Sequence, residues 1–331
     1  MLKVYLVQID SAKGSKSENL ARAKKMILDA NPAKGSLILL PEMFATGYIP
    51  TNLEAAAEDF SSSIAGETAR MLSEVASATD CTIMGAGISN AGNKFYNHVS
   101  IYEPGNTQEV ASYDKMNLFF PEKENFKAGE KINLFNIKEN AGRFPIRSGM
   151  TNNAGLTSNT EMTNNAGLTN NTEMTNNARL TSNAGMTNNA ELISNAGKAS
   201  NAETIECSWK VASFICYDLR FPELFREATK QGANLITVQA AWPAKRNAHW
   251  ETLLKARAIE NQVYIVAVNA VSTNPTTKIQ LAGNSLILSP NGDVIAEGSS
   301  NEEVVLTAEL ELQAENDLRK SFPVLEGIIR A

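Results

Sequence analysis

The sequence predicts an α/β fold in which mixed β-sheets are covered by helices. Hydrophobic runs of strand length alternate with amphipathic helical stretches, hairpin signals interrupt that alternation, and the most reactive polar residues each follow a strand-like run. Residues 2–9 read as a buried strand. Ser17 to Ala30 reads as an amphipathic helix with Leu20, Ala23, Ile27 and Leu28 on one side. SLILL at 36–40 is a second strand running into Pro41-Glu42; Gly66 to Asp80 is helical, with Ala69, Leu72 and Val75 or Ala76 inward; TIMGAGI at 82–88 returns as a strand. KFYNHVSIY, the turn EPGN and EVASYDK form a hairpin whose outgoing strand ends at Lys115.

The second half follows the same grammar. Strand VASFI at 211–215 leads into Cys216, and a helix starts at Pro222, where proline suits a first turn, and ends near Gln231 with Gly232 as its cap. NLITVQ is a strand, His249 to Asn261 a helix and VYIVAVNAV a strand. NSLILSPNGDVIAEG is a hairpin around Asn291-Gly292, and VVLTAEL closes the sheet system.

Composition narrows the function. With 331 residues, 43% of them hydrophobic, the chain buries a core of one or two domains. A formal net charge of −6 with interspersed signs leaves no basic face for nucleic acid. The N-terminus alternates like a strand instead of forming a signal-type apolar run, and stretches such as VYIVAV are too short to span a bilayer, so a soluble cytoplasmic protein is expected. Three cysteines, Cys81, Cys207 and Cys216, argue against a disulfide framework, and two distant histidines offer no zinc spacing.

One segment breaks the pattern. Four consecutive twelve-residue copies begin at Thr151, Thr163, Thr175 and Thr187 and occupy 151–198. They are rich in Asn, Thr, Ala and Gly and lack aromatic residues, so a copy cannot offset its ordering entropy unless copies stack. The expectation is an inserted segment at 148–203, disordered or a surface excursion, with a small stacked solenoid as the alternative. Residues 1–147 and 204–331 together then form one domain.

Glu42 in ILLPEMFATGY, Lys115 in SYDKMNLF and Cys216 in SFICYDLRFPE each follow a strand, where a sheet fixes position and the tip reaches a cavity. A strand, then Cys, then a helix has the mechanics of a nucleophile elbow, and a helix N-terminus favours thiolate. A small buried hydrophobe is the alternative reading of Cys216. Cys81 and Cys207 read as structural, and His98 as a core-edge residue.

These segments resemble the nitrilase superfamily of carbon–nitrogen hydrolases. LLPEMFATGY, YDKMNLFFPEKENFKAG and ICYDLRFPELFREATKQGANLI match its three signature regions in order, and RAIENQVYIVAVN and GNSLILSPNGDVIAEG extend the match. The resemblance implies an αββα sandwich of two mixed sheets flanked by helices, usually dimerised. It also implies Glu42 as general base, Cys216 as nucleophile and Lys115 as the cation facing the oxyanion, with a thioester intermediate and ammonia released. The backbone N–H of Tyr217 is a candidate second oxyanion donor. EKENFKAG places the family's second glutamate on Glu122, with Glu124 as competitor. Asp218, Arg220 and Glu223 read as a structural ion-pair set, a substrate role for Arg220 being the alternative.

AAWPAKRNAHWETLLKARAIENQ resembles the ω-amidase branch, which implies a dicarboxylate monoamide substrate such as 2-oxoglutaramate. Trp242 would wall the acyl pocket and Arg246 pair with the distal carboxylate, against the plainer readings of packing and surface charge. His249 and Trp250 are expected to shape the wall. The chemistry requires neither cofactor nor metal. A homodimer or larger homo-oligomer is expected. Another amidase, a carbamoylase or a nitrilase proper are the rivals within the class; a catalytically silent binding or scaffold protein whose repeat mediates association is the rival outside it.

Overall fold

The computed structural model describes residues 1–60, 66–92, 94–138, 208–274 and 278–327. Cys207 and the 148–203 segment with its repeats lie outside the described residues. Met1–Glu139 and Cys207–Ala331 belong to one compact unit. Among the described residues, no helix is long and apolar enough to cross a membrane.

β1 (Leu2–Gln8) is buried almost throughout. α1 (Lys16–Asp29) opens on Ser15, whose hydroxyl accepts the Glu18 N–H while the Glu18 carboxylate accepts the Ser15 N–H, a reciprocal capping box. It buries Leu20, Ala23 and Ile27, but Leu28, expected on the same side, is exposed. One residue beyond Ile27 is a turn of about 100° around the helix, past the edge of the buried stripe. β2 (Leu37–Leu39) runs into Glu42; a short α2 (Leu53–Ala56) precedes α3 (Glu67–Thr79), which buries Ala69, Leu72, Val75 and Ala76 as its periodicity requires. β3 (Thr82–Asn90), β4 (Phe95–Tyr102) and β5 (Ala111–Asp114) follow, and β5 stops one residue before Lys115.

β6 (Leu134–Lys138) was not legible as a strand. β7 (Ser208–Ile215) ends at Cys216, and α4 (Pro222–Lys230), β8 (Leu235–Ala240), α5 (Asn247–Asn261) and β9 (Tyr264–Asn269) continue the alternation. β10 (Leu286–Leu288) and β11 (Val294–Glu297) form the Asn291-Gly292 hairpin, and β12 (Val304–Leu310) returns to β1. α6 (Leu312–Ser321) was also missed. Glu315 is its buried residue, so it carries almost no apolar stripe to read.

Among the described residues two six-stranded sheets result, ordered β12-β1-β2-β3-β4-β5 and β6-β7-β8-β9-β10-β11. Taken in those orders, both run antiparallel, parallel, parallel, antiparallel, antiparallel. Their inner faces share one core, in which Val4, Leu6, Leu39, Val99 and Tyr113 meet Val211, Ile236, Val238 and Val266. On its outer face the first sheet packs Tyr5, Val7, Ile83 and Tyr102 with α1 and α3. This is the αββα sandwich.

The segment after β5 is pinned by glycine. The Gly129 N–H donates to the Lys115 carbonyl at 2.9 Å, and a Cβ on Gly129 would run into the Asp114 carbonyl. Gly129→Ala is therefore expected to push the end of β5 away and lower unfolding free energy by about 1–3 kcal/mol. Urea titration of both proteins measures the difference.

Candidate active site

Three strand ends of the two sheets converge at one point. Glu42, Lys115 and Glu122 are each fully buried. The Lys115 ammonium donates to Glu42 Oε1 at 2.8 Å and to Glu122 Oε2 at 2.7 Å. Asn97 Nδ2, on the inner face of β4, donates to Glu42 Oε1 at 2.8 Å and to Glu122 Oε1 at 2.7 Å. Backbone amides complete the cage: the Ala241 N–H reaches Glu42 Oε2 and the Phe119 N–H reaches Glu122 Oε2, both at 2.8 Å. Burial opposes a charged lysine, but Glu42 and Glu122 outweigh it and hold Lys115 above its ordinary pKa. Glu124, the competitor of Glu122, points to solvent.

Cys216 is buried beside this cluster with φ +48°, a left-handed backbone that a non-glycine residue adopts only under constraint. Its turn is a short 3-10 segment, Cys216–Arg220, ahead of α4. Burial, then the Glu42 carboxylate, push the thiol well up, against the pull of Lys115. Burial and Glu42 thus oppose the helix-end effect expected to favour thiolate, and they favour the thiol.

The expected ion-pair set of Asp218, Arg220 and Glu223 does not form. Asp218 is buried and accepts from the Ile215 N–H, the Asn117 N–H, Asn117 Nδ2 and the Tyr113 hydroxyl, at 2.8–3.1 Å. It clamps the Cys216 turn to the segment carrying Lys115. Burial pushes its carboxyl up to about 6, against Lys115 and those hydrogen bonds. Glu223 is exposed. Arg220 turns instead into a cavity of about 310 Å³.

That cavity is lined mainly by apolar and aromatic groups, including Tyr48, Phe119, Tyr217, Trp242 and Leu281, and Cys216 also lines it. Its cationic groups are Arg220 and Arg246, and His249 also lines it. The Arg220 guanidinium lies 4.7 Å from the Trp242 ring centroid and 5.8 Å from that of Tyr217, and it donates toward His249 Nδ1 at 3.4 Å. Among the described residues neither arginine pairs with a carboxylate. Burial, then Arg246, lower the Arg220 pKa. Trp242 is nearly fully buried, its Nε1–H donating to the Arg246 carbonyl. Trp250 packs behind it at 5.6 Å, fully buried, and does not line the cavity.

Tyr48 and Asn97 went unnoticed in the sequence. Tyr48 lines the cavity close to Glu42, Glu122 and Cys216; burial, then Glu42, raise its pKa. Asn97 had a legible signal, because an amide at an inward position of β4, in step with Val99 and Ile101, demands a buried polar partner. Cys81 is buried with its Sγ toward the Ala33 carbonyl, as expected of a structural cysteine.

A sandwich whose facing strand ends gather a buried carboxylate, an ammonium and a cysteine is the architecture of a carbon–nitrogen hydrolase. The carbon–nitrogen hydrolase family model matches residues 3–320, and the chain belongs to that family. It is 46% identical over 119 residues to a 2-oxoglutaramate amidase of Bacillus subtilis, a stretch spanning 36% of this chain and 45% of that protein. The chain thus spans about half the length of that relative. It is 28% identical to the ω-amidase NIT2-A of Xenopus laevis over 93% of this chain and 88% of that one. In fold it is similar to a CN-hydrolase superfamily protein of Xanthomonas campestris, with a TM-score of 0.70, 22% identity, and coverage of 100% of this chain and 98% of that one.

Asn97→Leu is expected to leave both carboxylates short of a buried donor and to cost about 1–3 kcal/mol of stability. Glu124→Gln, at the surface, is expected to stay within about 0.5 kcal/mol of the parent. Chemical denaturation of the three proteins checks both values.

Proposed function

We propose that the chain hydrolyses the amide of a small dicarboxylate monoamide such as 2-oxoglutaramate, releasing ammonia. The observation that carries this reading is Cys216 standing at once in the wall of the cavity and beside the buried Glu42–Lys115–Glu122 cluster. Glu42 takes the proton of the Cys216 thiol as the sulfur attacks the amide carbon. Lys115 and the Tyr217 backbone N–H stabilise the oxyanion. The tetrahedral intermediate collapses as Glu42 returns the proton to the leaving nitrogen; ammonia departs and a thioester remains. Glu42 then removes a proton from water, which attacks the thioester carbon; the carboxylate product leaves and the thiol is restored. Glu122 holds the Lys115 ammonium in place.

For the acyl half, the aromatic wall of Trp242 suits a short methylene chain. Arg220 and Arg246, two cations without carboxylate partners among the described residues, suit a distal carboxylate. The activity in the names of the amidase relatives supports the same substrate class. Assembly as a homodimer or larger homo-oligomer, in the cytoplasm, belongs to the same reading, with exposed Ile259, Phe322 and Val324 as apolar surface available to it. The segment 148–203 is taken as an insertion that the chemistry does not need.

Ammonia release is measured on a panel of ω-amides, N-carbamoyl amino acids and nitriles. The expected result is turnover of ω-amides, reduced to background by Cys216→Ala and retained on deletion of 148–203. Equal turnover by the Cys216→Ala protein would sink the mechanism, and turnover confined to another substrate class would sink the substrate. Replacing Arg220 or Arg246 by Met is expected to lower kcat/KM by about 10- to 100-fold, the worth of a charge-assisted hydrogen bond, for ω-amides carrying a distal carboxylate. Amides lacking that carboxylate should respond far less.

A further inference from the structure

His98 lies at the centre of β4, one residue past Asn97 and paired in register with Gly87 of β3 and Asp114 of β5. Successive strand residues face opposite sides of a sheet. Asn97 and Lys115 therefore face the carboxylates of the inner layer, while His98 and Asp114 face the outer one. There His98 Nδ1 is 2.7 Å from Asp114 Oδ1, and Nε2 is 3.0 Å from Glu109 Oε2. The Phe60 ring stacks on the imidazole at 5.3 Å, above Gly87, where a Cβ would come within 3.2 Å of that ring. The charged groups facing His98 are thus Asp114 of β5 and Glu109 of the segment before it. β3 brings nothing titratable, whereas the segment carrying Phe60 holds Asp59 and the buried Glu58, which pairs with Lys16 at 2.6 Å.

A neutral imidazole has one N–H, so one ring nitrogen would present its lone pair to a carboxylate in this pocket. Only the imidazolium donates to both. Burial opposes it, but Asp114 and Glu109 prevail and raise the pKa to about 9. The charge matters to the inner layer because the two faces share a backbone. The Lys115 N–H donates to the Asn97 carbonyl at 2.9 Å, the next rung after the His98–Asp114 pair.

We propose that His98, as an imidazolium bridging Asp114 and Glu109, is a positioning residue that fixes the β4–β5 register and so sets Asn97 and Lys115 against Glu42 and Glu122. The proposal rests on the amidase reading for its kinetic consequence, on the geometry for the staple, and on the raised His98 pKa for its pH range. Because the folded pKa lies above the ordinary 6.5, the staple's stabilisation is complete below about pH 6.5 and is lost as pH rises through about 9.

The chain has two histidines, so its imidazole signals in a heteronuclear NMR titration are assigned by their loss in His98→Gln and His249→Gln. The His98 signal is expected to titrate near pH 9 and to move to lower pH in Glu109→Gln, a variant remote from the reacting groups. A midpoint at or below 6.5 would overturn the staple. With 2-oxoglutaramate, His98→Gln is expected to lose on the order of tenfold or more in kcat at pH 7.5 with KM little changed. It should also lack the wild-type decline in kcat near pH 9, which in Glu109→Gln moves to lower pH. A lower kcat with the wild-type pH profile would reduce His98 to a merely structural part and overturn its positioning role.

Alkylation of Cys216 by iodoacetamide, followed by peptide mass spectrometry, needs no turnover and separates this proposal from the amidase reading. The rates in wild type and His98→Gln at pH 7.5 should differ several-fold, and equal rates would overturn the proposal. A wild-type protein inactive on every amide but showing both the NMR midpoint and the alkylation difference would refute the amidase reading and leave the staple standing.

Discussion

An ammonium sealed between two carboxylates is the constraint on which the rest of this molecule depends. Lys115, Glu42 and Glu122 are all fully withdrawn from solvent, and removing one partner of a buried ion set costs about 3–5 kcal/mol because it strands the others. The surrounding structure supplies compensation. The ends of β2 and β5 bring the charges, Asn97 bridges both acids, and the Ala241 and Phe119 amides cap the remaining oxygens. Burial, then the neighbouring Glu42, favours the thiol at Cys216 over the thiolate, against the pull of Lys115.

Much of this was legible in the sequence where a motif and a strand end coincide. Glu42, Lys115 and Cys216 each follow an unmistakable hydrophobic run, and the family resemblance of EKENFKAG favours Glu122 while leaving Glu124 as its competitor. What escaped were partners contributed across long separations or by the backbone. The Ala241 N–H carries no residue identity, and Asn97 lies 55 residues from Glu42. The ion-pair set failed for a local reason. Asp218 and Arg220 are two residues apart in a helical turn, and residues at that spacing face different ways. Asp218 therefore turned toward Tyr113 and Asn117 while Arg220 turned to the cavity. The helix α6 was missed because its surface is polar almost all round.

The matching direction patterns of the two sheets explain why the parts meet. Glu42 follows the third strand of one sheet and Ala241 the third strand of the other, and the two are joined directly by a hydrogen bond. Facing sheets of like topology thus bring equivalent strand ends to one place. The positive φ at Cys216 then turns its side chain out of the strand and into the cavity wall.

β6 lies at the edge of its sheet, and its last residue, Lys138, sits opposite the first residue of β7, Ser208. The two ends of whatever joins these strands are therefore held at a single pair of neighbouring positions. For such a junction the entropic cost of the connection grows only logarithmically, by about 0.6 kcal/mol for each doubling of its length. For a flexible connection one added twelve-residue unit would cost only a fraction of that, so an edge pairing of this kind tolerates changes in the length of what it joins.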